Sequence, residues 1–135
     1  MTPRAALQAK RVAVAVLGSA MIIVGIQHWR DPAPFERIVP PYLPSPRALV
    51  LISGLFEVLG GVGVLVPVTR RFAACGLIAL YVAVFPANIH MAVNHVQLTP
   101  DGAFPVWAMW ARLPFQAVFI AWAYWMTRPD AQRTA

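Results

Sequence analysis

Apolar residues dominate four stretches of this chain, each close to the length that carries a helix across a bilayer, about 20 residues. They cover about residues 12–28, 48–66, 72–91 and 105–126, with polar and proline-rich connections between them. The pattern predicts an all-α fold, a four-helix transmembrane bundle forming one membrane domain over residues 1–135. The fourth stretch has a further signature. Trp107 and Trp110 lie near one end, Trp122 and Trp125 near the other, and Trp107 to Trp125 is about 27 Å at about 1.5 Å per residue. That spacing fits two interfacial aromatic belts.

The basic residues orient the bundle. Arg4, Lys10, Arg11, Arg70, Arg71, Arg128 and Arg133 occupy the two termini and the short turn after the second stretch, whereas the other two connections hold only Arg30, Arg37 and Arg47. The positive-inside rule then predicts a multi-pass membrane protein with both termini in the cytoplasm. The basic start followed by an apolar run has the layout of a signal peptide. It ends in Gln27-His28-Trp29-Arg30 without a small-residue cleavage pattern, so an uncleaved first span is expected.

Between the first two spans lies DPAPFERIVPPYLPSPR, with six prolines from Pro32 to Pro46. Such spacing forbids a long helix and favours extended or turn structure. Its apolar residues Phe35, Ile38, Val39, Tyr42 and Leu43 predict a segment lying on the extracytoplasmic membrane surface or folded back over the bundle. In the second span, SGLFEVLGGVGVL presents Ser53, Gly54, Gly60, Gly61 and Gly63, small residues that let another helix approach closely.

Composition agrees with the pattern: 59% of residues are hydrophobic and 12% charged, against about 25% charged in soluble domains. The net charge of +6 comes with no basic stripe or recognition motif, so no nucleic-acid partner is expected, and the lipid bilayer is the partner the basic residues address. Cys75 is the one cysteine, which excludes an intrachain disulfide and a CxxC pair. No phosphate-binding loop and no nucleophile-elbow serine occur.

Candidate chemistry sits where polar residues enter apolar spans. Glu57 in the second and Arg112 in the fourth are charges in hydrocarbon, which cost at least about 2.5–3.5 kcal/mol and are seldom kept without a partner or a task. Counted from the outer surface, Glu57 lies about 15 Å deep and Arg112 about 10 Å deep, so an ion pair between neighbouring helices is the expectation. His28, Asn88, His90 and Gln116 also fall at the midplane or in the outer half, and together the six predict an outer-half polar pocket capped by the proline-rich segment. Pro86 and Pro114 free the carbonyls of Val82 and Trp110, which Asn88, Arg112 and Gln116 are suited to satisfy. The same residues equally describe a structural pair that fixes helix neighbours. No metal site is expected: His90 and His95 are five apart, about 140° around a helix. A quinone-like head group, accepting hydrogen bonds from His28 or Arg112, needs no metal. No catalytic residue is assigned, and the pattern is silent on oligomeric state.

Taken together, the segments GIQHWRDPAPFERIVPPYLPSPRALVLISGLFEVLGGVGVLVPVTRRFAACGLIALYVAVFPANIHMA and WARLPFQAVFIAWAYW resemble the DoxX-like family of small bacterial four-span membrane proteins. The likeness rests on IVPPYLP, SGLFEVLGG, TRR, VFPANIHMA and RLPFQ, with Trp29 where similar sequences often carry phenylalanine. It implies a four-helix membrane bundle and an association with membrane redox complexes, the family name deriving from a subunit linked to thiosulfate–quinone oxidoreduction. The rival expectation is a membrane scaffold or assembly factor that uses the glycine face and IVPPYLP as its surfaces.

Overall fold

The computed structural model describes residues 2–129, and Arg133, counted above among the cytoplasmic cations, lies outside the described residues. Five helices follow in order: α1 (Pro3–Arg30), α2 (Ala33–Ile38), α3 (Pro46–Leu65), α4 (Arg70–Asn94) and α5 (Val106–Thr127). No strand occurs among the described residues. α1, α3 and α4 are long and apolar enough to cross a membrane. α5 matches them in length, but its four tryptophans, Arg112, Pro114 and Gln116 lower its mean hydropathy.

α1 begins at Pro3 rather than near residue 12, because the basic first turns are helical as well and Thr2 caps them by accepting the Ala5 N–H at 3.3 Å. The proline-rich segment is not wholly extended. It holds the six-residue α2, which tolerates Pro34 because a proline in the first turn removes an N–H that has no helical partner anyway. α3 ends under the TRR turn: Thr69 Oγ1 donates to the Gly63 carbonyl at 2.8 Å and Arg70 Nε to the Val64 carbonyl at 2.8 Å. These bonds satisfy carbonyls that the helix end leaves free.

α1 packs on α3, α3 on α4 and α4 on α5. The ring closes at one end, where Lys10 Nζ donates to the Arg128 carbonyl at 2.6 Å and lies 5.9 Å from the centre of the Trp125 ring. A lysine can be buried here because the C-terminus of α5 supplies both a carbonyl acceptor and the negative end of a helix dipole. Next to it is the larger apolar core, with Leu17, Val64, Leu77, Ala123 and Met126. A smaller core at the opposite end gathers Ile38, Met91, Ala92 and Met109 under α2. Polar side chains lie between the two.

The α1–α3 contact is the tightest in the molecule. A Cβ on Gly25 would stand 2.6 Å from the Gly54 carbonyl oxygen, and one on Gly61 would stand 2.6 Å from the Gly18 carbonyl oxygen. Gly18 and Gly25 on α1 thus meet Gly61 and Gly54 on the antiparallel α3 backbone to backbone. Gly60 and Gly63 face the other way, onto Leu77 and Ala73 of α4. The glycines of α3 therefore serve two seams, and the partners on α1 are themselves glycines.

Candidate functional site

The seam sets the first pair. His28 follows Gly25, and Glu57 follows Gly54, by three residues, so each lies on the seam side of its helix one turn from the crossing. Side chains lean toward the N-terminus of their own helix. In antiparallel neighbours that lean brings the two together, and His28 Nδ1 lies 3.0 Å from Glu57 Oε2. Nδ1 is also 2.8 Å from the Val24 carbonyl oxygen. Both neighbours are acceptors, so Nδ1 carries the proton. The bond to Val24 is the aligned one, and Glu57 Oε2 has no aligned donor of its own among the described residues. Phe35 of α2 stacks on the imidazole, ring centres 3.8 Å apart at 22°.

The expected Glu57–Arg112 ion pair is not formed. Glu57 has His28 as its ionic neighbour, and among the described residues Arg112 has no hydrogen bond and no acidic group within 4.0 Å. The reason is the order of helices around the bundle. α4 stands between α3 and α5, and since α3 and α5 run the same way, their side chains lean in the same direction rather than toward each other. Depth estimates place two residues along the membrane normal, not around the ring.

On the opposite wall, Asn88 of α4 donates to Gln116 Oε1 at 2.6 Å, and Gln116 Nε2 donates to the Tyr81 carbonyl. The carbonyl served lies next to that of Val82, which Pro86 deprives of its donor; the expectation named Val82 itself. Tyr81, Asn88 and Gln116 are all buried. Tyr81, whose hydroxyl contacts Met21 Sδ at 3.1 Å, was not singled out from the sequence. Its seven-residue separation from Asn88, two helical turns on one face, is the signal that carried it.

These groups share a partly open cavity of about 530 Å³. His28, Glu57, Tyr81, Asn88, Arg112 and Gln116 line it, and the rest of its wall is chiefly apolar, including Met21, Phe56, Leu80 and Phe119. α2 and the residues after it contribute Phe35, Ile38, Val39, Pro40 and Leu43, so the segment folds over the bundle as one of the two expected placements had it. Glu36 of α2 lies 3.6 Å from Arg47 at the start of α3. His90 departs from expectation. It is not on the cavity wall, its Nδ1 is buried without a hydrogen-bond partner among the described residues, and its carbonyl accepts from the Asn94 side chain. It lies two residues beyond Asn88, about 200° around the helix, and so on the other side of α4.

The family model of a domain of unknown function, DUF8561, matches residues 17–127. The chain belongs to the DUF8561 family. No curated protein and no solved structure matches the chain. The DUF8561 match runs from the middle of α1 to the last residue of α5 and so contains every residue on the cavity wall.

Chemically, the DUF8561 cavity is divided. The α1–α3 wall offers acceptors, Glu57 and the second imidazole nitrogen, while the α5 wall offers the Arg112 guanidinium, a donor group with no acceptor capacity. The Asn88–Gln116–Tyr81 chain bonds within itself and holds α4 to α5. Polar groups on separate walls of an apolar chamber are a chemistry able to orient a small, mostly hydrophobic molecule that carries oxygen atoms.

Proposed function

We propose that this protein is a four-span, N-in/C-in membrane protein of the bacterial inner membrane whose cavity binds a small hydrophobic, quinone-like molecule. The observation that carries this reading is the cavity itself: about 530 Å³ of mainly apolar wall on which Glu57, His28 and Arg112 converge. That volume falls in the range usual for small-molecule sites, about 300–1,000 Å³, and so does the small number of polar groups. The guanidinium, which has no partner among the described residues, supports it too. A charge kept in an apolar setting without a protein partner is suited to an acceptor brought by a ligand. The resemblance to the DoxX-like family adds a place for such a site, as a subunit of a membrane redox complex.

The test is titration of the lipid-nanodisc protein with a short-chain ubiquinone and with menadione. Wild type is expected to bind one of them, and Arg112→Leu to lose at least about tenfold in affinity, as loss of a hydrogen bond from a charged group implies, while still inserting. Equal binding by Arg112→Leu overturns the site. The scaffold reading is favoured by one observation, the position of the His28–Glu57 pair on the tightest helix seam. It requires that neither quinone binds and that a protein partner co-purifies.

A further inference from the structure

The His28–Glu57 pair has the arrangement of a proton acceptor. Its Nδ1–H is committed to the Val24 carbonyl at 2.8 Å, with Glu57 Oε2 beside the same nitrogen at 3.0 Å. An imidazole whose Nδ1 carries the hydrogen presents its other nitrogen, Nε2, as a lone pair. Nε2 has no partner among the described residues, and the ring lines the cavity. A proton taken at Nε2 makes an imidazolium, and three features favour that cation. Glu57 is a neighbouring carboxylate, 9% exposed and lacking an aligned donor. Phe35 offers its ring face to the imidazole at 3.8 Å. The C-terminal end of α1, where His28 sits, carries the negative end of the helix dipole. This is the logic by which a carboxylate orients a histidine and stabilises its protonated form in acid–base catalysis.

We propose that the cavity takes a ring bearing a weakly acidic hydroxyl, a phenol or quinol, and that His28 accepts its proton while Arg112 holds the oxyanion. In this step the ligand O–H bond breaks, an Nε2–H bond forms, and the electron pair stays on oxygen. No electron leaves the ligand. The proposal rests on the cavity reading and deepens it by naming the ligand class. Glu57 is a positioning residue in it. The titratable and charged groups that share the cavity wall with His28 are Glu57 from α3, Tyr81 from α4 and Arg112 from α5, and α2 stacks the uncharged Phe35 on its ring.

The probe is 4-nitrophenol, whose phenolate absorbs apart from the neutral form, with 4-nitroanisole as the methyl ether that has no proton to give. Both are titrated into nanodiscs carrying the protein, with empty nanodiscs as the partition reference. Wild type is expected to bind the phenol with the phenolate spectrum at a pH where the probe in empty nanodiscs is neutral, and to bind the ether at least tenfold more weakly. Glu57→Gln is expected to cut the bound phenolate fraction by about tenfold or more, since a neighbouring opposite charge shifts an ionisation by about 1–3 pH units. His28→Gln is expected to bind the phenol in its neutral form. Binding of phenol and ether alike, with no phenolate band, overturns the proton transfer and leaves the cavity standing. Binding of neither compound overturns the cavity reading as well. Should Glu57→Gln fail to fold, the wild-type spectrum alone decides.

Discussion

Gln116 is bonded at both ends of its amide, accepting from Asn88 at 2.6 Å and donating to the Tyr81 carbonyl. Gln116→Leu leaves the buried Asn88 amide without its partner and takes a second bond from the Tyr81 carbonyl, and we expect it to cost about 1–2 kcal/mol, measured by denaturant titration in bicelles. The double change with Asn88→Leu removes one orphan along with its partner, so its cost is expected to fall below the sum of the single changes. Residue identity is also where sequence reasoning went furthest and then stopped. Five of the six candidates, Glu57, Arg112, Gln116, His28 and Asn88, do reach one cavity, because a polar group in an apolar span stands out by composition alone. Who faces whom was not legible. Glu57 meets His28 rather than Arg112 because pairing depends on helix order and side-chain lean, and neither is written in hydropathy.

Among the elements, the α1–α3 seam sets the geometry of the acid–base pair. The clash a Cβ would meet differs sharply between glycines, 2.6 Å at Gly25 and nothing within 4 Å at Gly76. Gly25→Ala must push the two helix backbones apart, and a loss of about 1–3 kcal/mol is expected. Gly76→Ala fills open space on α4 and is expected to be neutral or to stabilise by up to about 1 kcal/mol, from helix propensity. Similar losses at both sites in unfolding titrations count against the seam. The glycines of α3 were legible as packing residues because small residues recur along an apolar stretch. Gly18 and Gly25 were not, since a glycine reveals its partner only once two helices are aligned. α2 escaped notice for a different reason. A high proline count rules out a long helix, whereas one short helix needs only that its prolines fall in the first turn or outside it, as Pro32, Pro34 and Pro40 do.

For the molecule as a whole, the chain gathers most of its cations at one end. Arg4, Lys10 and Arg11 start α1, Arg70 and Arg71 open α4, and Arg128 follows α5; the Lys10–Arg128 contact shows that the first and last helices share that end. At the other end Arg30, Arg37 and Arg47 lie around α2, and the α4–α5 connection has neither lysine nor arginine. If that asymmetry orients the bundle, the cavity and α2 belong to the extracytoplasmic half and the TRR turn to the cytoplasm. Cys75 is exposed, so Cys75→Ala supplies a cysteine-free background at little structural cost. On it, Asp101→Cys in the α4–α5 connection is expected to react with a membrane-impermeant maleimide in intact spheroplasts. Arg71→Cys is expected to react only after permeabilisation. The same pair of cysteines tests the fourth crossing: if α5 spans the membrane, a third one at Pro129 reports from the side of Arg71. Labelling of Pro129→Cys from the side of Asp101 means that α5 lies along the surface, and with it Arg112, which lines the apolar chamber only if α5 stands upright in the bundle.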